Sequence, residues 1–181
     1  MAAPEPELVT AGVNLTALLP AVRQAGALIE QIKSDGVSAR FKADASPVTA
    51  ADEAANAVLV AALSDLYPDV PVISEEDTAS HALAPDGLYF LVDPLDGTRE
   101  FIRPDSNGAY TVNIGLIQNR RAVGGIGGTE ARKGLEKCHI KERPARLQVG
   151  HKGRVFTRGP AAALLRAIAD AVPCCARALI L

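Results

Sequence analysis

Six consecutive residues, Asp93-Pro94-Leu95-Asp96-Gly97-Thr98, carry the sharpest chemical signal in the sequence. Two carboxylates three residues apart, directly after the apolar run Leu88-Tyr89-Phe90-Leu91-Val92, can converge on one hard cation. Mg²⁺ suits such a place, because it wants oxygen ligands in near-octahedral order and takes few of them from protein. Pro94 stiffens the turn, and Gly97 lets the backbone approach a ligand closely. A helix starting at Thr98 would turn its free N–H groups toward a phosphate. A bare pair of aspartates at this spacing is more often an ordinary acidic strand-to-helix turn with Asp96 as a cap. The whole hexapeptide favours a site.

Two other segments add weaker signals. Ser74-Glu75-Glu76-Asp77 follows a short apolar stretch and brings more carboxylate to what could be the same sheet edge, although alone it reads as a solvated acidic loop. Thr49-Ala50-Ala51-Asp52 has a sound structural reading, with Asp52 completing a capping box at a helix start. The Gly124-Gly125-Ile126-Gly127-Gly128 run is a weak phosphate loop, since no Lys-Ser/Thr pair and no helix start follow it.

The elements that must position these residues are legible from periodicity. Leu18, Leu19, Val22, Ala25, Ile29 and Ile32 recur at helical spacing, with Pro20 confining the regular part to begin near Leu19 and Asp35-Gly36 ending it. The stretch to Ser46 reads as loop or hairpin. Thr49 starts a second helix whose expected buried stripe is Val58, Leu59, Ala62, Leu63 and Leu66. Val70–Ile73 reads as a short strand, and Leu88–Val92 as a strand buried on both faces. Tyr110–Ile117 is a further strand, turning at Gln118–Arg121 into a return strand that starts with Ala122–Ile126. This order predicts a layered α/β core.

Bulk properties exclude more than they assign. The 181 residues are 48% hydrophobic with a net charge of -2, which gives no global reason to expect nucleic-acid or membrane binding. The acidic N-terminus lacks the pattern of a signal or transit peptide, and no stretch is apolar enough to span a bilayer. Cys138, Cys174 and Cys175 form neither a disulfide framework nor a zinc motif, so a reducing cytoplasm is the expected compartment. Charge is unevenly spread: residues 1–125 hold 8 Lys and Arg against 17 Asp and Glu, and residues 126–181 hold 11 against 4.

Three segments in order, Ser46-Pro47-Val48-Thr49-Ala50-Ala51-Asp52, Ser74-Glu75-Glu76-Asp77 and Val92-Asp93-Pro94-Leu95-Asp96-Gly97-Thr98-Arg99-Glu100-Phe101, together resemble the signatures of the inositol monophosphatase superfamily. Arg99-Glu100-Phe101 and Asn107-Gly108-Ala109-Tyr110-Thr111-Val112-Asn113-Ile114 are most similar to the CysQ-type 3'(2'),5'-bisphosphate nucleotidases, with Ala109 in place of their usual Glu and Pro104–Ser106 as an apparent insertion. The resemblance implies a layered sugar-phosphatase-like α/β fold and a Mg²⁺-dependent, lithium-sensitive phosphomonoesterase. Its family reaction takes adenosine 3',5'-bisphosphate to AMP and phosphate. It implies that Glu75, Asp93 and the Leu95 carbonyl hold one Mg²⁺, and that Asp93 and Asp96 hold a second. Thr98, supported by Asp52, would orient the attacking water. Glu75, Leu95, Asp96, Gly97 and Thr98 would line the substrate site, the last two through their N–H groups. The expected partner is a small phosphorylated nucleotide or sugar. An inositol phosphate substrate is the enzyme alternative, and a non-catalytic fragment that binds metal or a partner is the alternative from another class.

The resemblance covers roughly Leu18 to Ile126, giving two regions: 1–126 as the N-terminal α/β half of such a phosphatase, and 127–181 as a basic tail unrelated to it. The family's later Trp-Asp motif has no counterpart, since the chain contains no Trp and its one aspartate past Asp105 is Asp170. A frameshifted gene model is the expected origin of the tail, and near-inactivity of the chain as written the expected consequence. The segment from Ala161 to Ala171 has the composition of an Ala/Leu helix. The tail's charge would suit nucleic acid or, peripherally, an anionic membrane surface. Its single aromatic, Phe156, argues against a base-stacking platform. Exposed core surface in an unfinished fold would encourage homo-oligomers.

Overall fold

The computed structural model of the chain describes residues 9–36, 39–41, 47–83, 85, 87–103, 110–119, 121–130 and 137–142. A small hairpin, β1 (Val9–Thr10) with β2 (Val13–Asn14), leads through a 3-10 turn into helix α1 (Leu19–Asp35). Pro20 sits in the first turn of α1, where a missing N–H costs nothing. Gly36 ends it at φ 97°, a left-handed position that favours glycine. The α1 face formed by Leu19, Val22, Ala25 and Ile29 is buried, as the helical spacing predicts.

Strands β3 (Ala39–Phe41) and β4 (Pro47–Thr49) pair as an antiparallel hairpin that delivers the chain to α2 (Ala50–Leu66). The Thr49–Asp52 capping box is formed in full. The buried stripe of α2 differs from the expected one. Ala51, Ala55, Leu59 and Leu63 face the core, whereas Leu66 is 46% exposed. Steps of four residues drift slowly around a 3.6-residue helix, so this row stays against α1 while Leu66, in the last turn, points past it.

The main sheet has five strands in the order β5 (Val72–Ser74), β6 (Leu88–Asp96), β7 (Tyr110–Gln118), β8 (Arg121–Glu130) and β9 (Lys137–Glu142). Only β5 and β6 run parallel. The α1 and α2 helices pack on one face, α2 against β6 and α1 against β7 and β8. Phe90, Val92, Val112, Ile114, Leu116 and Ile126 meet them there. Leu91 and Ile117 are buried on the opposite side with Ile73, Tyr89 and Ala122. The sheet thus confirms an apolar β6 with both faces covered. Among the described residues no helix is long and apolar enough to cross a membrane.

The sheet extends the sequence reading in β8 and departs from it at the end of β6. The return strand that starts with Ala122–Ile126 is present as β8, runs on to Glu130 and pairs with β9. The Gly124–Gly128 run lies within β8, as sheet and not as a phosphate loop. Asp93-Pro94-Leu95-Asp96 is also not a free turn, since β6 continues through it to Asp96. The expected helix at residues 161–171, and the Asn107–Ala109 part of the family-like segment, lie outside the described residues.

Candidate active site

The aspartates of β6 are brought together by an irregularity in the ladder. Asp93 pairs with Asn113 and Asp96 with Thr111, with a register break between them. Three steps on β6 therefore match two on β7, which is one extra residue and a β-bulge. Pro94, which has no N–H for the ladder, sits where that break can absorb it. In a regular strand, residues three apart point to opposite faces. The bulge cancels that alternation, because Thr111 and Asn113 share a face and residues opposite them share it too. The Asn113 amide donates to Thr111 Oγ1 at 2.8 Å, and Thr111 Oγ1 makes a long contact of 3.5 Å to Asp96 Oδ2. Thr111 and Asn113 are site residues that the family-like motif contains but to which sequence reasoning gave no role. Two buried polar residues at period two in an apolar strand were the available signal.

Asp93 is 1% exposed, and neither of its carboxylate oxygens has a hydrogen-bond partner. Burial raises its pKa well above the usual carboxylate range, and the charges of Glu75, Asp96 and Glu76 push in the same direction. Glu75 stands close enough for a proton shared between the two carboxyls to bridge them. With both ionised, neither has a hydrogen to give. Asp96 is pushed up to about 6 by burial and then by Glu75 and Glu100, while the Thr111 hydroxyl pulls it down. A buried ionised carboxylate without donors is costly, and a divalent cation beside it removes both the desolvation and the repulsion.

Glu75 arrives from the parallel neighbour. Ser74 pairs with Val92 in register, and the Glu75 N–H donates to the Val92 carbonyl at 3.0 Å, which sets the residue beside the start of the Asp93 segment. Parallel strands end on the same side, so β5 and β6 both deliver their acidic residues to one sheet edge.

Thr98 and Asp52 meet across 46 positions of sequence. Thr98 Oγ1 lies 3.0 Å from Asp52 Oδ1 and 3.1 Å from the Leu95 carbonyl. Asp52 Oδ2 accepts from the Thr49 N–H at 2.7 Å and from the Thr49 hydroxyl at 2.6 Å. The capping reading of Asp52 is thus correct, and the same carboxylate also reaches the β6–α3 junction. Gly97, at φ 100°, makes the left-handed turn that starts the short helix α3 (Thr98–Ile102), as a helix beginning at Thr98 requires. Phe101 packs edge-on against Tyr110 at 5.6 Å, and Lys33 lies over both rings, anchoring α3 to the core.

Among the described residues no three His, Cys, Asp or Glu side chains close on a single point as a ready metal cage. The donor set is looser and all oxygen: the Asp93, Glu75 and Asp96 carboxylates with the Leu95 carbonyl beside them. An all-oxygen set that leaves most coordination positions to water fits Mg²⁺ and does not fit zinc, which prefers nitrogen and sulfur.

Known proteins agree with this arrangement in fold and family. The inositol monophosphatase family model matches residues 14–128. The chain is 46% identical over 107 residues to the 3'(2'),5'-bisphosphate nucleotidase CysQ of Salmonella typhimurium, covering 58% of this chain and 43% of that protein. It is 52% identical over 86 residues to the Escherichia coli CysQ nucleotidase, covering 47% of this chain and 34% of that one. The crystal structure of CysQ from Bacteroides thetaiotaomicron superposes with a TM-score of 0.50 at 29% identity, over 86% of this chain and 55% of that one. The matched part thus spans 43% and 34% of the two curated nucleotidases and 55% of the crystallised CysQ chain.

Proposed function

The chain belongs to the inositol monophosphatase family, and from that premise we propose that its sheet edge is the cation-binding part of a Mg²⁺-dependent phosphomonoesterase site of the 3'(2'),5'-bisphosphate nucleotidase type. The observation that carries the reading is Asp93, buried with both oxygens unpartnered beside two further carboxylate segments. Similarity to proteins named 3'(2'),5'-bisphosphate nucleotidase supports adenosine 3',5'-bisphosphate as substrate, with AMP and phosphate as products.

In this reading Glu75, Asp93 and the Leu95 carbonyl would hold one Mg²⁺, and Asp93 with Asp96 a second. Such ions would supply a low-pKa water and neutralise charge on the attacking and leaving oxygens. The protein's own groups do the positioning. Thr98 has one hydroxyl hydrogen, and donating it to Asp52 leaves the oxygen lone pairs free to accept from a water. Asp52 can hold that hydroxyl because its other oxygen is fixed by Thr49. The Gly97 and Thr98 N–H groups would hold the phosphate, and Glu75, Leu95 and Asp96 would complete the substrate wall. Lithium competes for one of the cation positions.

A second reading, a domain that binds cation without turnover, is favoured by the looseness of the carboxylate set. Phosphate release from adenosine 3',5'-bisphosphate, followed across a Mg²⁺ titration with inositol monophosphate as competing substrate, separates the two. Mg²⁺-dependent release that Asp93→Asn abolishes supports the enzyme. Mg²⁺ binding by calorimetry with no release from either substrate supports the second reading.

A further inference from the structure

Ser74, which precedes Glu75, is held more completely than a strand end requires. It is 1% exposed, and all three of its polar atoms are engaged by side chains from elsewhere. Its N–H donates to Ser80 Oγ at 3.0 Å. Its carbonyl lies 2.8 Å from the His81 Nε2, and because a carbonyl only accepts, that nitrogen carries the hydrogen. Its hydroxyl donates to Asn56 Oδ1 at 2.6 Å. Ser80 in turn donates to the Asp77 carbonyl at 2.6 Å, which folds the acidic loop back on its own strand.

Asn56 lies four residues after Asp52 on α2, so the two side chains emerge on one face of the helix, one turn apart. Asp52 holds Thr98, and Asn56 holds Ser74. One rigid helical turn therefore grips both chain segments that flank Asp93. We infer that Asn56 is a positioning residue for the cation site: through the Ser74 hydroxyl it fixes where Glu75 stands relative to Asp93. Outer-shell partners of this kind orient the groups that touch the ion and tune affinity without touching it.

The inference rests on the cation-site reading above, and the test separates them. Mg²⁺ binding to the full chain is measured by calorimetry for the parent, Asn56→Leu, Asn56→Ala, Ser74→Ala and the Asn56→Leu/Ser74→Ala double variant. Leucine has the branched shape of asparagine, though it is larger, and a good helix propensity, so Asn56→Leu keeps the helix while removing the acceptor. Each single variant is expected to bind Mg²⁺ about 10-fold more weakly, the lower end for a lost outer-shell partner. The double variant is expected to be no weaker than either single, because both remove one shared hydrogen bond. A role confined to stability would lower the melting temperature and leave Mg²⁺ affinity unchanged, overturning the inference. Losses that multiply in the double variant would also overturn it. A parent chain that binds no Mg²⁺ overturns the cation-site reading and this inference with it. A parent that binds, with variants that bind equally well, overturns the inference alone.

Discussion

Asp52 and Asp93 are each 1% exposed, yet their surroundings are opposite. Asp52 accepts from the Thr49 N–H and hydroxyl on one oxygen and from Thr98 on the other. Among the described residues no donor reaches either oxygen of Asp93 when Glu75 is ionised. Buried polar groups are nearly always satisfied, and a satisfied carboxylate is explained by the fold that surrounds it. An unsatisfied one, with other carboxylates near it, costs the fold stability and calls for a partner of opposite charge. The contrast supports the proposal that Asp52 positions and Asp93 binds cation, a division the sequence already suggested by giving Asp52 a capping reading and Asp93 the sharper chemical signal.

The largest expected effect falls on Asp93. Asp93→Asn removes a charge that the metal-free fold tolerates poorly, so it is expected to abolish the rise in melting temperature that Mg²⁺ gives the parent. Without divalent cation at pH 8, the variant is expected to melt above the parent. Turnover of adenosine bisphosphate should fall by more than the roughly 10- to 100-fold typical of an outer-shell loss. A variant that responds to Mg²⁺ like the parent would dissolve the contrast between the two aspartates.

Asp52→Ala should do the reverse. It leaves the Thr49 N–H and hydroxyl without their acceptor, turns the Thr98 hydroxyl to the Leu95 carbonyl and breaks the capping box, at about 2 kcal/mol of stability by chemical denaturation. Mg²⁺ should still bind, because no proposed ligand is touched. Loss of Mg²⁺ binding in a variant that remains folded would move Asp52 into the cation site and erase the distinction.

Acidity sharpens the same comparison from the other side. Burial pushes Asp96 up to about 6 and raises Asp93 well above its ordinary value of 3.8. Between these values and 3.8 the folded chain holds protons that the unfolded chain has released, so its stability falls as pH rises. Without divalent cation the chain should therefore lose on the order of 2 kcal/mol between about pH 4 and pH 7 from Asp96 alone. Saturating Mg²⁺ at pH 7.5 should restore it, and Mg²⁺ affinity should weaken as pH falls through about 6. Melting curves across pH, with and without Mg²⁺, check both signs.

How much of this was legible beforehand follows from the range of each interaction. The capping box lies within four residues, and its pattern predicted both the helix start and the bond that forms. The α1 boundaries were legible because proline and glycine mark them locally. The bulge that turns Asp93 and Asp96 to one face was not, because register is a property of two strands, and the sequence of one says nothing of its partner's step. The hold of Asn56 on Ser74, 18 residues away, was hidden for the same reason. The change of composition after Ile126 concerns charge and cysteine content, on which backbone pairing does not depend, and β8 continues past that position to Glu130 and pairs with β9.

The smallest effect should come from Thr98→Ser, set against Thr98→Val. Thr98 is where the two aspartates' roles meet, since its hydroxyl ends the Asp52 network and begins the segment that carries the proposed water. Serine keeps the oxygen, so the 3.0 Å bond to Asp52 can persist, and the loss of one half-buried methyl should cost under about 1 kcal/mol. Turnover should stay within a few-fold of the parent. Valine keeps the shape and removes the oxygen. It leaves Asp52 Oδ1 without its donor, which costs about 1–3 kcal/mol, and leaves a water nothing to lean on. Mg²⁺ affinity should be near parental in both, because the Leu95 carbonyl and the carboxylates are intact. If Thr98→Val keeps parental turnover while losing stability, Thr98 belongs wholly to the Asp52 network. If it loses turnover with Mg²⁺ binding intact, the hydroxyl acts on the water as well as on the aspartate, and the positioning arm of the comparison reaches the chemistry.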